Sequence, residues 1–174
     1  IQNLCVAVTL LLLFVVIQNK EDELQDSYGL HTNHALIKRT KLNIINGYRF
    51  KIILIKLKDK AIIKSILSTN YWYNICNQVA LYFKSLTRIQ TPYNLRDGLF
   101  AIMLRHDVAT EEEERIINKI DLKFVSSKWN VLNTEFSLSI QMLELSYPNE
   151  IEEVQDLQYY INYYRANIIS SNKV

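Results

Sequence analysis

The hydrophobic pattern of the chain is helical over most of its second half. Apolar residues recur every three or four positions, which places them on one face of an α-helix. Residues 70–86, 110–124, 127–147 and 149–168 show this spacing. Thr110 with Glu113, and Asn149 with Glu152, have the spacing of capping boxes at helix starts. We therefore expect helices in these stretches, with the following apolar faces: Trp72, Cys76, Val79, Phe83 and Leu86; Ile116, Ile117, Ile120 and Phe124; Trp129, Leu132, Phe136, Ile140 and Leu143; and Val154, Leu157, Ile161, Tyr164 and Ile168.

Residues 99–104 are apolar without a break. Thr91-Pro92 upstream suits a helix start, because proline at the first helical position needs no amide partner. The pattern predicts a central buried helix over residues 91–105, and an inner strand is the alternative.

Residues 42–58 predict a β-hairpin. Asn46-Gly47 tolerates the positive φ that a type I′ turn needs, and Ile-rich segments flank it. The apolar phase changes along residues 48–57, which indicates a bulge or burial on both faces. The same residues also fit a helix, but β-branched side chains favour the strand.

These elements predict a mainly α protein, a bundle of about five helices with one N-terminal β-hairpin; an α+β fold is the alternative. Three Gly and two Pro in 174 residues favour long helices over many short strands. The length suits one domain. We expect a signal peptide or signal anchor at residues 1–19, a polar linker at 20–41 and a single domain at 42–174.

The apolar run at residues 4–17 suggests export. It is shorter than the roughly 20 residues of a membrane span and fits the 7–15 residues of a secretory signal. A removed signal, a retained membrane anchor and an ordinary buried element all fit it, in that order. The run predicts a secreted or extracytoplasmic membrane-anchored protein.

Positive charge is concentrated in the first part of the chain, although the net charge is only +2. Between residues 38 and 64 nine Lys or Arg face one acid, with Tyr48 and Phe50 interleaved. Such a segment suits a polyanion such as nucleic acid. Solvated lysines that protect a sheet edge are the simpler explanation. The candidate polyanion-binding residues are Lys38, Arg39, Lys41, Arg49, Lys51, Lys56 and Lys58.

The last predicted helix carries Tyr159, Tyr160 and Tyr163 mostly off its apolar face. Exposed tyrosines often anchor protein interfaces, so we expect a protein partner or self-association there. Packing of the rings under neighbouring helices is an equal alternative.

Searches for catalytic and metal motifs give little. His31-x-x-His34 has metal-ligand spacing but no second pair of ligands to complete a site. Cys76, His106 and Asp107 have the residue types of a thiol triad, but Cys76 lies on an apolar face. We predict no metal site, no cofactor and no catalytic residue.

The sequence therefore predicts a small secreted or membrane-anchored interaction protein rather than an enzyme. A nucleic-acid or polyanion binder using residues 38–64 is the alternative. An enzyme of unknown class is the third possibility.

Overall fold

The computed structural model describes residues 25–27, 29–86, 91–105 and 110–166. The predicted leader at residues 4–17, and with it membrane attachment, lies outside this part. Across the described residues no helix has the length and hydropathy to span a bilayer. The helices are α1 (Asn33–Ile45), α2 (Lys60–Ile66), α3 (Thr69–Ser85), α4 (Thr110–Ser126) and α5 (Val154–Ala166). The strands are β1 (His31–Thr32), β2 (Phe50–Leu57), β3 (Thr91–Asn94), β4 (Leu99–Arg105), β5 (Trp129–Val131), β6 (Thr134–Phe136) and β7 (Ile140–Tyr147).

A five-stranded mixed sheet forms the centre, in the order β1-β3-β4-β2-β7. Strand β2 is antiparallel to both β4 and β7, while β1 is parallel to β3. Strands β5 and β6 form a separate two-stranded sheet. The chain is therefore α+β.

Strand β2 is buried on both faces of the sheet. Ile52 and Leu54 pack toward α1 and α5, in a core with Leu36, Leu157 and Ile161. The intervening side chains pack toward α3 and α4, in a second core with Trp72 and Phe124; they are Ile53, Ile55 and Leu57. The change of apolar phase along this segment thus reflects burial on both faces, because β2 pairs in unbroken register with β4 and β7.

The predicted β-hairpin at residues 42–58 is wrong in its first arm. Residues 33–45 form helix α1, and Asn46-Gly47 ends that helix. Gly47 has φ +67° and its N–H donates to the Ile44 carbonyl, while the Tyr48 N–H donates to the Asn43 carbonyl. Left-handed glycine closes a helix in this way as readily as it closes a hairpin. Residues 31–41 of the expected linker thus lie in β1 and α1, although the domain boundaries themselves stay a prediction.

Two predicted helices are strands, which makes the mainly α bundle wrong. Residues 99–104 lie in β4, so the inner-strand alternative was correct. Residues 129–147 form β5, β6 and β7 instead of a helix. Leu132 and Asn133 adopt positive φ in the turn that pairs Trp129 with Phe136. The apolar spacing there fits a helix, but cross-strand pairing decides the conformation.

The other three predicted helices are present, but the last one begins at Val154, where Asp156 accepts from the N–H groups of Glu152 and Glu153, and not at the predicted capping box of Asn149 and Glu152. Helix α3 buries Trp72, Val79 and Phe83, and α5 buries Leu157 and Ile161. Helix α4 buries Ile116, Ile120 and Phe124 and carries Glu111, Glu112 and Glu113 in its first turn. Acidic residues are favourable there because of the helix dipole.

Gly98, in the turn between β3 and β4, should not tolerate a side chain. It has φ +80°, and an added Cβ would lie 2.5 Å from Cζ2 of the fully buried Trp72. Gly47 also has positive φ, but nothing lies within 4 Å of its Cβ position. We expect Gly98→Ala to lower the free energy of unfolding by about 2–4 kcal/mol, from overpacking plus backbone strain.

Gly47→Ala is the matched control, since it adds the strain without the clash and should cost about 1 kcal/mol. Urea titration followed by tryptophan fluorescence measures both variants. Equal losses would show that Trp72 does not pack against the turn as described.

Candidate functional site

Charged side chains gather where β2 ends and the β3–β4 turn crosses it. We call Lys56, Lys60 and Asp97 the hairpin-tip cluster. The Leu57 N–H donates to the Gly98 carbonyl at 2.9 Å, which fixes the turn against the end of β2. Lys60, at the start of α2, forms an ion pair with Asp97 of the turn. The sheet register therefore brings together residues about 40 positions apart.

The turn of this cluster has an unusual backbone. Arg96, Asp97 and Gly98 have φ values of 68°, 57° and 80°, so three successive residues are left-handed and two are not glycine. The Arg96 N–H is held by Asn94 Oδ1 at 2.9 Å, and the Leu95 carbonyl accepts from Arg165. Such conformations persist only where the surroundings impose them, and they are common at binding sites.

The electrostatics of the cluster favour an anion. The Lys56 side chain is half-buried and donates to the Tyr164 carbonyl. Burial lowers the pKa of Lys56, and the charge of Lys60 lowers it further. An ammonium in this position is stabilised by any negative charge that comes close to it. Lys56 and Lys60, with Asp97 beside them, thus form a site suited to a phosphate or carboxylate group.

The seven predicted polyanion-binding residues do not form one surface. Lys51 points toward α4 and lies between Glu113 and Glu144, so its charge is already compensated; these partners raise the pKa of Lys51. Lys56 faces the opposite side of the sheet, beneath Tyr164. Lys38, Arg39 and Lys41 lie on α1, while Arg49 and Lys58 lie exposed at opposite ends of β2. A continuous nucleic-acid track along a basic hairpin is not supported by this arrangement.

The tyrosines of the last helix divide between surface and core. Tyr159 and Tyr163 are 65% and 52% exposed, and their rings stack with centroids 6.2 Å apart. Tyr160 is half-buried and packs against the core beneath α5. The three residues are therefore not equivalent.

The described residues do not form a metal site. Among the described residues, no group of three or more His, Cys, Asp or Glu is placed to hold an ion. His31 lines a cavity beside α1, whereas His34 is exposed. His106 and Asp107 of the possible thiol triad lie outside the described residues.

Comparison with known proteins identifies the fold. No protein-family model matches the sequence, and neither does any curated protein sequence. Solved structures match well. The coiled coil and GGDEF domain of DgcB from Caulobacter crescentus, in complex with c-di-GMP, has a TM-score of 0.75 at 10% identity; the match covers 91% of this chain and 87% of that one.

Two further structures support the same assignment. A sensory box/GGDEF family protein from Caulobacter crescentus has a TM-score of 0.67 at 14% identity, covering 82% of this chain and 97% of that one. The diguanylate cyclase SiaD from Pseudomonas aeruginosa, in complex with its activator SiaC, has a TM-score of 0.67 at 10% identity. The match covers 94% of this chain and 66% of that one. At such identities the likeness establishes the fold, which is that of GGDEF domains. The letters spell Gly-Gly-Asp-Glu-Phe, a run that this sequence does not contain.

The shared fold corrects the functional predictions. Domains with this fold include diguanylate cyclases, so the expectation of a secreted or membrane-anchored interaction protein that is not an enzyme is wrong. The predicted secreted or extracytoplasmic location is corrected as well: it rested on the apolar run at residues 4–17, and the fold gives it no support. Neither expectation is carried further.

Four residues of this region were not predicted from the sequence as site residues: Lys60, Arg96, Asp97 and Gly98. The signal that could have identified them is Asp97-Gly98, a turn dipeptide that lies between Tyr93 and a run of apolar residues. If residues 99–104 had been predicted as a strand, Asp97-Gly98 would have been predicted as the turn before it. The lysines come to it only through the pairing of β2 with β4.

Cys76 should be a slow nucleophile. Burial raises the pKa of its thiol to about 12 from the usual 9.0, and the charge of Asp97 adds to this, while Lys60 and Lys64 oppose it. We expect its reaction with a disulfide reagent at pH 8 to be about a hundredfold or more slower in the native protein than in urea, because the thiolate is the reactive form.

The measurement uses a Cys5→Ser background. The matched control also carries Cys76→Ser and Gln78→Cys, which moves the thiol to an exposed position on the same helix. If native Cys76 reacted as fast as the control thiol, burial would not be raising its pKa, and Cys76 would again be a candidate nucleophile.

Proposed function

We propose that this chain is a guanine-nucleotide enzyme domain related to the diguanylate cyclases, and that the hairpin-tip cluster binds the phosphates. The likeness of the fold to GGDEF domains supports the class of enzyme. The observation that carries the site is the position of Lys56 and Lys60 beside the left-handed turn at residues 96–98. Phosphate oxygens accept charge-assisted hydrogen bonds from such lysines.

The site is one of lysines rather than of carboxylates. Enzymes of phosphoryl transfer hold magnesium through carboxylates together with the substrate phosphates. Asp97, the carboxylate of the cluster, is occupied by Lys60, and the described residues provide no group of ligands around it. The residues present therefore do not fit a divalent cation, and we expect phosphate binding that does not depend on one.

Titration with guanosine triphosphate tests the binding site. We expect Lys60→Gln to weaken binding about tenfold, because a hydrogen bond to a charged group contributes about 1.5–3 kcal/mol. Asp97→Asn should strengthen binding, since it releases Lys60 from a competing carboxylate. Lys58→Gln, at an exposed position beyond β2, is the control and should bind normally.

Calorimetry with and without EDTA measures these affinities. If Asp97→Asn weakens binding and EDTA abolishes it, a metal is held there and the lysine site is wrong. Chromatography of the reaction mixture for c-di-GMP then tests turnover. Absence of both binding and product would overturn the proposed function as a whole.

A second candidate is a nucleotide-binding regulator with the same fold that does not turn its ligand over. The ion pair between Lys60 and Asp97 favours it, because that pair holds the carboxylate of the cluster away from chemistry. Binding of guanosine triphosphate without formation of c-di-GMP would select this candidate. Binding with product formation would exclude it.

We also propose that α5 contacts a protein partner or a second copy of the chain through Tyr159 and Tyr163. The complex of SiaD with its activator shows a protein partner on one relative of this fold. Two stacked, exposed rings on one helix supply contact area at little entropic cost.

Replacing Tyr159 and Tyr163 by Ser should leave the melting temperature nearly unchanged and weaken association. Tyr160→Ser is the comparison, and it should lower the melting temperature because that ring packs against the core. Light scattering and pull-down measure association. A large melting loss in the double variant would show that the two rings stabilise the domain itself.

A further inference from the structure

A cavity of about 610 Å³ lies beside α1, at the edge of the sheet. Its walls come from α1, β1 and β3, and the residues that line it are Gln25, His31, Ala35, Lys38, Arg39, Leu42, Thr91 and Tyr93. We call it the edge cavity. It exists because β1 is only two residues long and pairs with Tyr93 and Asn94, which leaves the Thr91 end of β3 beyond its reach.

The edge cavity is separate from the hairpin-tip cluster. Thr91 lies at the end of β3 away from the turn at residues 95–98, and Lys38, Arg39 and Leu42 lie progressively further along α1. These residues follow one another along α1 and β3, so the cavity lies alongside the sheet, whereas the cluster lies at the end of β2. No lining residue belongs to the cluster.

Aromatic and apolar groups form one part of the lining. The rings of His31 and Tyr93 have centroids 5.6 Å apart at an angle of 41°. Tyr93 is 3% exposed, and Ala35 is buried beside it in the same core. The His31 ring is partly exposed and rests on the buried Tyr93 ring, so a flat, apolar ligand can contact its open side.

Positive charge forms the other part. Lys38 and Arg39 are exposed, and neither has an ion-pair partner among the described residues. None of the described lining residues is acidic. Burial raises the pKa of Tyr93 to about 12, and the positive charge of Arg39 opposes this effect.

We propose that the edge cavity is a second ligand site, which takes a phosphate monoester with a flat aromatic body, of the size of a mononucleotide. The volume lies within the roughly 300–1,000 Å³ of small-molecule pockets. Arg39 binds the phosphate through its planar fork and Lys38 adds a second charge, while the aromatic body lies against His31, whose ring is supported by Tyr93.

Titration of guanosine monophosphate into the full chain tests this site. The background carries Lys56→Gln and Lys60→Gln, so that the hairpin-tip cluster does not contribute. We expect binding in this background, and Arg39→Gln should weaken it about tenfold, because one charge-assisted contact is lost. Lys41→Gln is the matched control: it removes an exposed charge from the same helix but does not line the cavity.

Guanosine and inorganic phosphate, titrated separately, test the two halves of the ligand. Each should bind more weakly than the monophosphate, since each makes only part of the contacts. Inorganic phosphate binding as tightly as the monophosphate would overturn the aromatic part. Equal affinities of the Arg39→Gln and Lys41→Gln variants, or no binding at millimolar monophosphate, would overturn the site, while leaving the hairpin-tip proposal to its own titration.

Discussion

The structure depends on strand β2, which is covered on all four sides. Strands β4 and β7 pair with its two edges, and helices pack on its two faces. Ile52, Ile53, Leu54 and Ile55 have no exposed surface. Truncating one such side chain typically costs about 2–5 kcal/mol, against a total stability of about 5–15 kcal/mol for a domain. The neighbouring strand β4 also contributes to both cores, so β2 and β4 together join the two helical layers.

The position of the hairpin-tip cluster follows from that burial. A strand with covered edges and faces exposes side chains only where it ends, and β2 ends at Leu57 beside the turn of its partner strand. Lys56 is the last residue of the inward face toward α5, and its pKa is lowered by that partial burial. Lys60 follows at the first turn of the next helix and reaches Asp97. The pairing of β2 with β4, rather than closeness in the sequence, thus brings these charges together.

The fold and the side chains carry different parts of the functional argument. The likeness to GGDEF domains, at 8–15% identity, gives an architecture that supports cyclic dinucleotide chemistry in other proteins. Function, however, lies in the site that a particular chain builds on its fold. We propose two sites of this kind, the lysines at the hairpin tip and the cationic cavity at the sheet edge. Both are suited to phosphate ligands by charge, and they differ in what they offer to the rest of the ligand.

The sequence alone determined the elements whose stability is local. The helices α3, α4 and α5 were predicted correctly because helical periodicity, and in α4 the charge of the first turn, act within one segment. Two Gly dipeptides show where local reasoning ends: Asn46-Gly47 closes a helix and Asp97-Gly98 closes a hairpin, although either can do both. Only the tertiary structure decided between these roles, because both a helix end and a hairpin turn need a residue with positive φ. The choice depends on which segments the flanking residues pair with. For the same reason residues 129–147 have helical spacing but form strands, and Lys60 meets Asp97 only because β2 and β4 pair in register.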